Sequence, residues 1–355
     1  MNNTLKPTGR TLYFDILRAI SCLCVVMIHA TGAYHLSDIG TANYWLGIFF
    51  EAPARLAVPV FAMLSGALML DEGYHYTKEK CKAHILKMVL FFCFWSAAYC
   101  GFHYVAYNLL KGLPLDLPLI LRELLNGHYH LWFVPMIIGF YMILPLLRLW
   151  IKEENRKYIR YFLILWFVFS CLIPQLRNLL GLVHENFALL WILPTNLRLS
   201  YVSGLTGYFI LGWYLHTAQI STKARPALWC WGLAAVVISF VGTGVISTLT
   251  GTHGSLYAQT SPLMPIWAGS IFCLVKLRFS GVQYGQGLFY RAVSFVCDNS
   301  LGVYGVHVAM LTLFTKLVPL PKGIAQLLCV YILSVIGSLC VTAVLKKLPL
   351  LRKIV

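Results

Sequence analysis

Tyr13-Phe14-Asp15-Ile16-Leu17-Arg18-Ala19-Ile20-Ser21-Cys22-Leu23-Cys24-Val25-Val26-Met27-Ile28-His29-Ala30 is apolar enough to enter a bilayer, yet it carries an aspartate, an arginine and a histidine. Wound as a helix, the eleven-residue step from Arg18 to His29 turns about 1100°, only ~20° past three full turns, and rises about 16 Å. Both side chains therefore point the same way, one near each end of the segment. Ionisable groups at membrane depth are costly, face a protein interior or a wet cavity, and mark functional pathways. A cation and an imidazole on one stripe predict a chemical site reached through the membrane.

The rest of the chain fits that setting. Hydrophobic residues make up 59% and charged residues 11% of the 355, and the mean hydropathy is +0.74, far from soluble proteins. Runs of about 20 apolar residues predict an all-α, polytopic transmembrane bundle of about ten spans. They fall near 12–34, 44–70, 86–110, 131–150, 159–176, 199–217, 227–250, 263–277, 299–316 and 324–345. The apolar stretch 186–194 is too short to cross and reads as interfacial or re-entrant.

Charge sets the orientation. With ten spans both termini share a side, and the loops on that side hold 20 of the 28 Lys and Arg residues against six opposite. The positive-inside rule then puts both termini in the cytoplasm and predicts a multi-pass protein of the inner (cytoplasmic) membrane. The net charge of +16 follows from this alternation, which excludes a nucleic-acid reading because the cations form no single patch. The first apolar run is long, holds Asp15 and Arg18 and is followed by no cleavage site, so it is expected to stay as an anchor. The eleven cysteines include no Cys-x-x-Cys pair and no zinc spacing, so they read as small apolar fillers, and no metal is expected. No repeat or low-complexity tract divides the chain, and one membrane domain over residues 1–355 is the expected organisation.

Five stretches in order resemble a known family: Tyr13-Phe-Asp15 with Arg18-x10-His29, Val58-Pro59-Val60-Phe61-Ala-Met-Leu-Ser65-Gly66, His130-Leu-Trp132-Phe133 with Tyr141 and Pro145, Gly207-Tyr-Phe-Ile-Leu-Gly212-Trp-Tyr-Leu, and Ser300-Leu-Gly302-Val-Tyr304-Gly-Val-His307. Each is weak alone, but together they resemble the bacterial acyltransferase family 3, integral membrane enzymes that acylate carbohydrates. One motif departs. Where that family carries two basic residues three apart, often arginines, at the mouth of the third helix, this chain has His84-Ile-Leu-Lys87, with Lys80 and Lys82 upstream.

The resemblance implies acyl transfer from cytoplasmic acyl-CoA, most simply acetyl-CoA, to a hydroxyl of a cell-envelope glycan or lipid-linked sugar. Such a reaction needs a base for the hydroxyl and donors for the developing oxyanion. His29, Arg18 and Asp15 are the catalytic candidates. His29 is the natural base because imidazole titrates near neutral pH, and direct transfer is simpler than an acyl-histidine. Arg18 would steer the donor, unless it merely pairs with Asp15 three residues earlier. Arg18, Lys80, Lys82, His84 and Lys87 are the candidate acyl-CoA contacts, though the last four also satisfy the positive-inside rule alone. Arginine would offer phosphate a two-pronged fork that His84 and Lys87 do not.

Glu51, Arg55, His130, Trp132, Tyr304 and His307 are the candidate acceptor-binding residues. Glu51 and Arg55 form an i,i+4 pair at a depth similar to His29; such buried pairs are also commonly structural. Trp132 reads equally as an interfacial anchor, and His307 as packing. The competing reading is a secondary transporter relaying through Asp15, Arg18, Glu51, Arg55 and His29, but the two similar halves such carriers show are absent from the sequence.

Overall fold

In the computed structural model, residues 10–181, 204–349 and 351–353 are described, and every regular element among them is a helix. Among the described residues, eight helical segments are long and apolar enough to cross a membrane. They match eight of the ten expected spans. The other two correspond to shorter helices, Thr206–Thr217 and Leu263–Phe279. Residues 186–194 and Arg198 lie outside the described residues.

In chain order the helices are α1 (Leu12–Ala30), α2 (Gly32–His35), α3 (Ala42–Ala54), α4 (Ala57–Met69), α5 (Lys78–Tyr99), α6 (Tyr107–Lys111), α7 (Leu117–Asn126), α8 (Phe133–Trp150), α9 (Arg156–Trp166), α10 (Ile173–Gly181), α11 (Thr206–Thr217), α12 (Arg225–Thr250), α13 (Leu263–Phe279), α14 (Leu288–Leu317) and α15 (Ile324–Leu345). Side-chain caps set several starts: Thr41 Oγ1 accepts from the Tyr44 N–H, Thr77 Oγ1 from Lys80, and Asp116 from Leu119, each satisfying an otherwise orphaned first-turn donor. α1 lies at the centre, packed on α4, α13, α14 and α15, while α11 lies against α4.

Several expected boundaries are corrected. The run 44–70 is two helices, because Pro53 lies inside α3 and Pro59 near the start of α4. Pro59 has no N–H to offer the Arg55 carbonyl one turn back, and the chain turns at residues 55 and 56. The expected spans 86–110 and 159–176 contain π-helical segments, Cys100–Ala106 and Phe167–Leu172, between regular helices. α14 begins at Leu288, eleven residues before the expected 299. Polar Asp298 and Asn299 hid this start, but Asp298 is needed there: it pairs with Arg10 at 2.8 Å, and its carbonyl accepts from Lys346 Nζ at 2.5 Å.

That cluster ties α1, α14 and α15 together at one end of the bundle. Asp15 belongs to it. Its carboxylate takes Arg10 Nε at 2.5 Å, Cys297 Sγ–H at 3.0 Å and the Tyr284 hydroxyl. Burial, then the hydrogen bond and charge of Asp15, push the Tyr284 phenol up, so it stays a donor. The Asp15–Arg18 pair that i,i+3 spacing left open as the alternative does not form; Arg10 and Tyr284 share one oxygen of the carboxylate and Cys297 takes the other.

Candidate active site

α1 divides two spaces. Arg18, Cys22, Val25, Val26 and His29 line a cavity of about 390 Å³, whereas Ile20, Leu23, Cys24 and Met27 face a separate apolar groove. The cavity residues follow the i, i+4, i+7, i+8, i+11 stripe of a straight helix, so the shared face expected for Arg18 and His29 is present. α4, α8, α14 and, through Met88, α5 form the other walls.

The two ends of the cavity differ in chemistry. At the Arg18 end the guanidinium has one weak partner, Cys297 Sγ at 3.5 Å, and its other N–H groups make no hydrogen bond to the described residues. Ser65 and Ser300 stand in the same walls. An arginine freed from its neighbouring carboxylate and turned into a half-apolar cavity is a ready anion site.

At the other end three imidazoles converge. The His29 ring centroid lies 5.0 Å from that of His307 and 6.3 Å from that of His130, with 5.2 Å between His130 and His307. His130 sits in the turn before α8, held by its Nδ1 at 2.9 Å from His128 Nδ1 and by its carbonyl, which accepts from the Tyr304 hydroxyl. Trp132, in the same turn, is part of the cavity wall and 43% exposed. His29 makes no hydrogen bond to the described residues, and its ring is only partly buried.

Arg55 enters from the α3–α4 break. Its Nε and Nη2 donate to Glu51 Oε1, the former at 3.0 Å, and its guanidinium lies 5.3 Å over the Tyr257 ring. Glu51 is 0% exposed, and its other oxygen lies 2.7 Å from His35 Nδ1. Burial penalises the carboxylate's charge, and the Arg55 guanidinium, with His35 close to the other oxygen, offsets that penalty. The pair expected from i,i+4 spacing is thus present, with one division of labour that spacing did not reveal: Arg55 lines the cavity and Glu51 does not. Arg55 Nη1 is left without a partner among the described residues. The loop over this corner is pinned by Thr243 Oγ1 to the Leu256 N–H at 2.9 Å and by Ser247 Oγ to Gly254 at 3.0 Å. It also supplies Gln259.

Seven candidate residues are therefore brought to one cavity: Arg18, His29, Arg55, His130, Trp132, Tyr304 and His307. Asp15 and Glu51 stand behind them. Lys80, Lys82, His84 and Lys87 lie on α5 outside the cavity, with Lys80, Lys82 and His84 exposed. His84 stacks on Tyr141 of α8, rings 5.3 Å apart and 8° from parallel. Tyr257, Gln259 and His35 went unremarked as site residues; the first two sit in a loop with no motif. No group of His, Cys, Asp or Glu among the described residues is arranged to hold a metal ion.

A family profile described as an acyltransferase domain matches residues 11–343. The chain belongs to acyltransferase family 3. No curated protein and no solved structure matches it. The match runs from the start of α1 nearly to the end of α15, so it includes both ends of the cavity, and it makes this chain a membrane acyltransferase. That decides between the enzyme and the transporter: the intramembrane charges belong to an enzyme of this family.

Proposed function

We propose that the protein is an O-acyltransferase, with acetyl-CoA as donor and a hydroxyl of a cell-envelope glycan or lipid-linked sugar as acceptor, working in the inner membrane with both termini cytoplasmic. The observation that carries this reading is the cavity itself: an uncommitted arginine at one end, an uncommitted histidine at the other, on one helix face. The positive-inside asymmetry favours the Arg18 end as cytoplasmic. The donor's flexible arm would then enter past Arg18 and carry its thioester toward His29, with the basic face of α5 (Lys80, Lys82, His84, Lys87) near the phosphates.

At the far end His29 takes the proton of the acceptor hydroxyl as its oxygen attacks the thioester carbonyl. Arg55 Nη1, held in place by Glu51, donates to the developing oxyanion. When the C–S bond breaks, the His29 imidazolium returns the proton to the coenzyme A thiolate, so atoms and charge balance. Trp132, His130 and Tyr304 form the wall against which a sugar would rest.

The test is acetyl-CoA turnover by purified protein in detergent, with envelope lipid extract as acceptor, read as acetyl groups on the extract. No acetyl-CoA consumption with or without extract would sink the donor assignment. Arg18→Ala is expected to raise the acetyl-CoA KM about tenfold or more, the worth of one charge-assisted hydrogen bond of ~1.5–3 kcal/mol. The acceptor dependence should move little. Arg18→Lys should recover part of the loss, since lysine keeps the charge without the fork. A rise confined to the acceptor KM would place Arg18 on the other substrate.

A further inference from the structure

His307 lies two thirds of the way along α14, 0% exposed. Its Nδ1 is 2.8 Å from the Tyr304 carbonyl and 3.1 Å from that of Val303. A carbonyl oxygen only accepts, so Nδ1 carries the ring proton and Nε2 keeps a lone pair. That Nε2 is fully buried and has no hydrogen-bond partner among the described residues. Buried acceptors are rarely left so, and an exception calls for an explanation. The nearest ring that could supply a donor is His29, at 5.0 Å between centroids. His130 stands slightly farther away, at 5.2 Å; its Nδ1 is engaged by His128, and its Nε2 is likewise buried without a partner among the described residues.

We infer that His307 is the positioning residue for His29: its Nε2 accepts a ring N–H of His29, fixing the tautomer and ring plane so that the other His29 nitrogen presents its lone pair to the acceptor hydroxyl. The inference rests on His29 as the base. A catalytic imidazole of this kind is commonly oriented by a carboxylate that takes its second N–H. Among the described residues no carboxylate lines the cavity, and Glu51 is committed to Arg55 and His35. The neutral, backbone-anchored His307 fills that place. The two ring centroids stand 5.0 Å apart, and catalytic hydrogen bonds of this type tighten when substrate closes the site.

Three variants of the full chain in detergent test this, with acetyl-CoA hydrolysis as the probe reaction, water as acceptor, and acetate as the readout. His307→Leu keeps bulk and removes the acceptor. His307→Gln sets an amide oxygen near the Nε2 position, and His307→Asn keeps a donor for the backbone carbonyls but withdraws the acceptor from His29. For a misplaced base, kcat in His307→Leu and His307→Asn should fall about 10- to 100-fold. The acetyl-CoA KM should stay within about twofold, as for an interaction made outside donor binding. His307→Gln should recover most of the loss. Unchanged kcat in His307→Leu, or equal losses in all three, would overturn the inference and leave His307 as packing; His307→Asn carries the test if His307→Leu fails to fold. The outcome separates from that of the underlying reading. A fully active His29→Ala removes the base itself, whereas an inactive His29→Ala beside an active His307→Leu removes only the positioning role.

Discussion

His29→Ala is expected to lower kcat for acetyl transfer about 10²–10⁴-fold, the usual contribution of a positioned general base. At ~1.4 kcal/mol per factor of ten this corresponds to roughly 3–5 kcal/mol of transition-state stabilisation. The fold should hardly notice. His29 lies one residue from the end of α1, forms no hydrogen bond to the described residues, and borders a cavity into which a shortened side chain leaves only more open space. His29 holds no hydrogen bond in the structure whose loss would newly strand a partner, His307 Nε2 being already unpartnered among the described residues, so no further penalty for an orphaned polar group is added. Unfolding temperature in detergent and acetyl-CoA binding are therefore expected to stay near wild type while turnover collapses. Activity within about threefold of wild type would take His29 out of the chemistry, since a general base contributes far more than that. A parallel collapse of melting temperature would show instead that the imidazole is structural.

The stripe bearing Arg18 and His29 was legible because helix geometry alone fixes which residues share a face. Glu51 and Arg55 were legible for the same reason. Interactions between distant segments were not. Asp15 has an arginine three residues away, yet it pairs with Arg10 and with Tyr284, 269 positions along the chain. Spacing offers a local partner but says nothing of a competitor from another helix. His35 reaches Glu51 only because α2 folds back after α1, a turn with no sequence signature beyond polar residues. The break at residues 55 and 56 had its cause in view, two prolines six apart, but the unbroken apolar run masked it. The basic residues of α5 were read as candidate acyl-CoA contacts; that they stand outside the cavity depends on how α5 packs on α8, which composition does not encode. Residues 199–203 of the sixth expected span lie outside the described residues.

The largest structural effect is expected where two helix backbones touch. A methyl group on Gly212 of α11 would stand 1.9 Å from the Met63 carbonyl oxygen of α4, and one on Gly66 of α4 would stand 1.7 Å from the Phe209 carbonyl oxygen of α11. Both obstacles are backbone, so no rotamer change relieves them, and the helices must part. Small residues at such crossings are what allow membrane helices to approach closely, which gives a physical reason for two glycines of the family-like motifs. Overpacking of this kind costs about 1–3 kcal/mol, more when a backbone must move, so Gly212→Ala should lower the melting temperature in detergent by several degrees. Gly139→Ala makes the same chemical change on α8, where a methyl group meets nothing within 4 Å. There the alanine should be neutral or stabilising by up to about 1 kcal/mol, the ordinary gain over glycine inside a helix. The functional consequence follows from position. Phe61 and Ser65, on the α4 segment that abuts α11, line the cavity, so pushing α4 away from α11 shifts a wall of the active site. Folded Gly212→Ala protein is therefore expected to turn over acetyl-CoA more slowly than Gly139→Ala at the same temperature. Equal melting temperatures and equal rates for the two variants would show that α4 and α11 do not meet backbone to backbone.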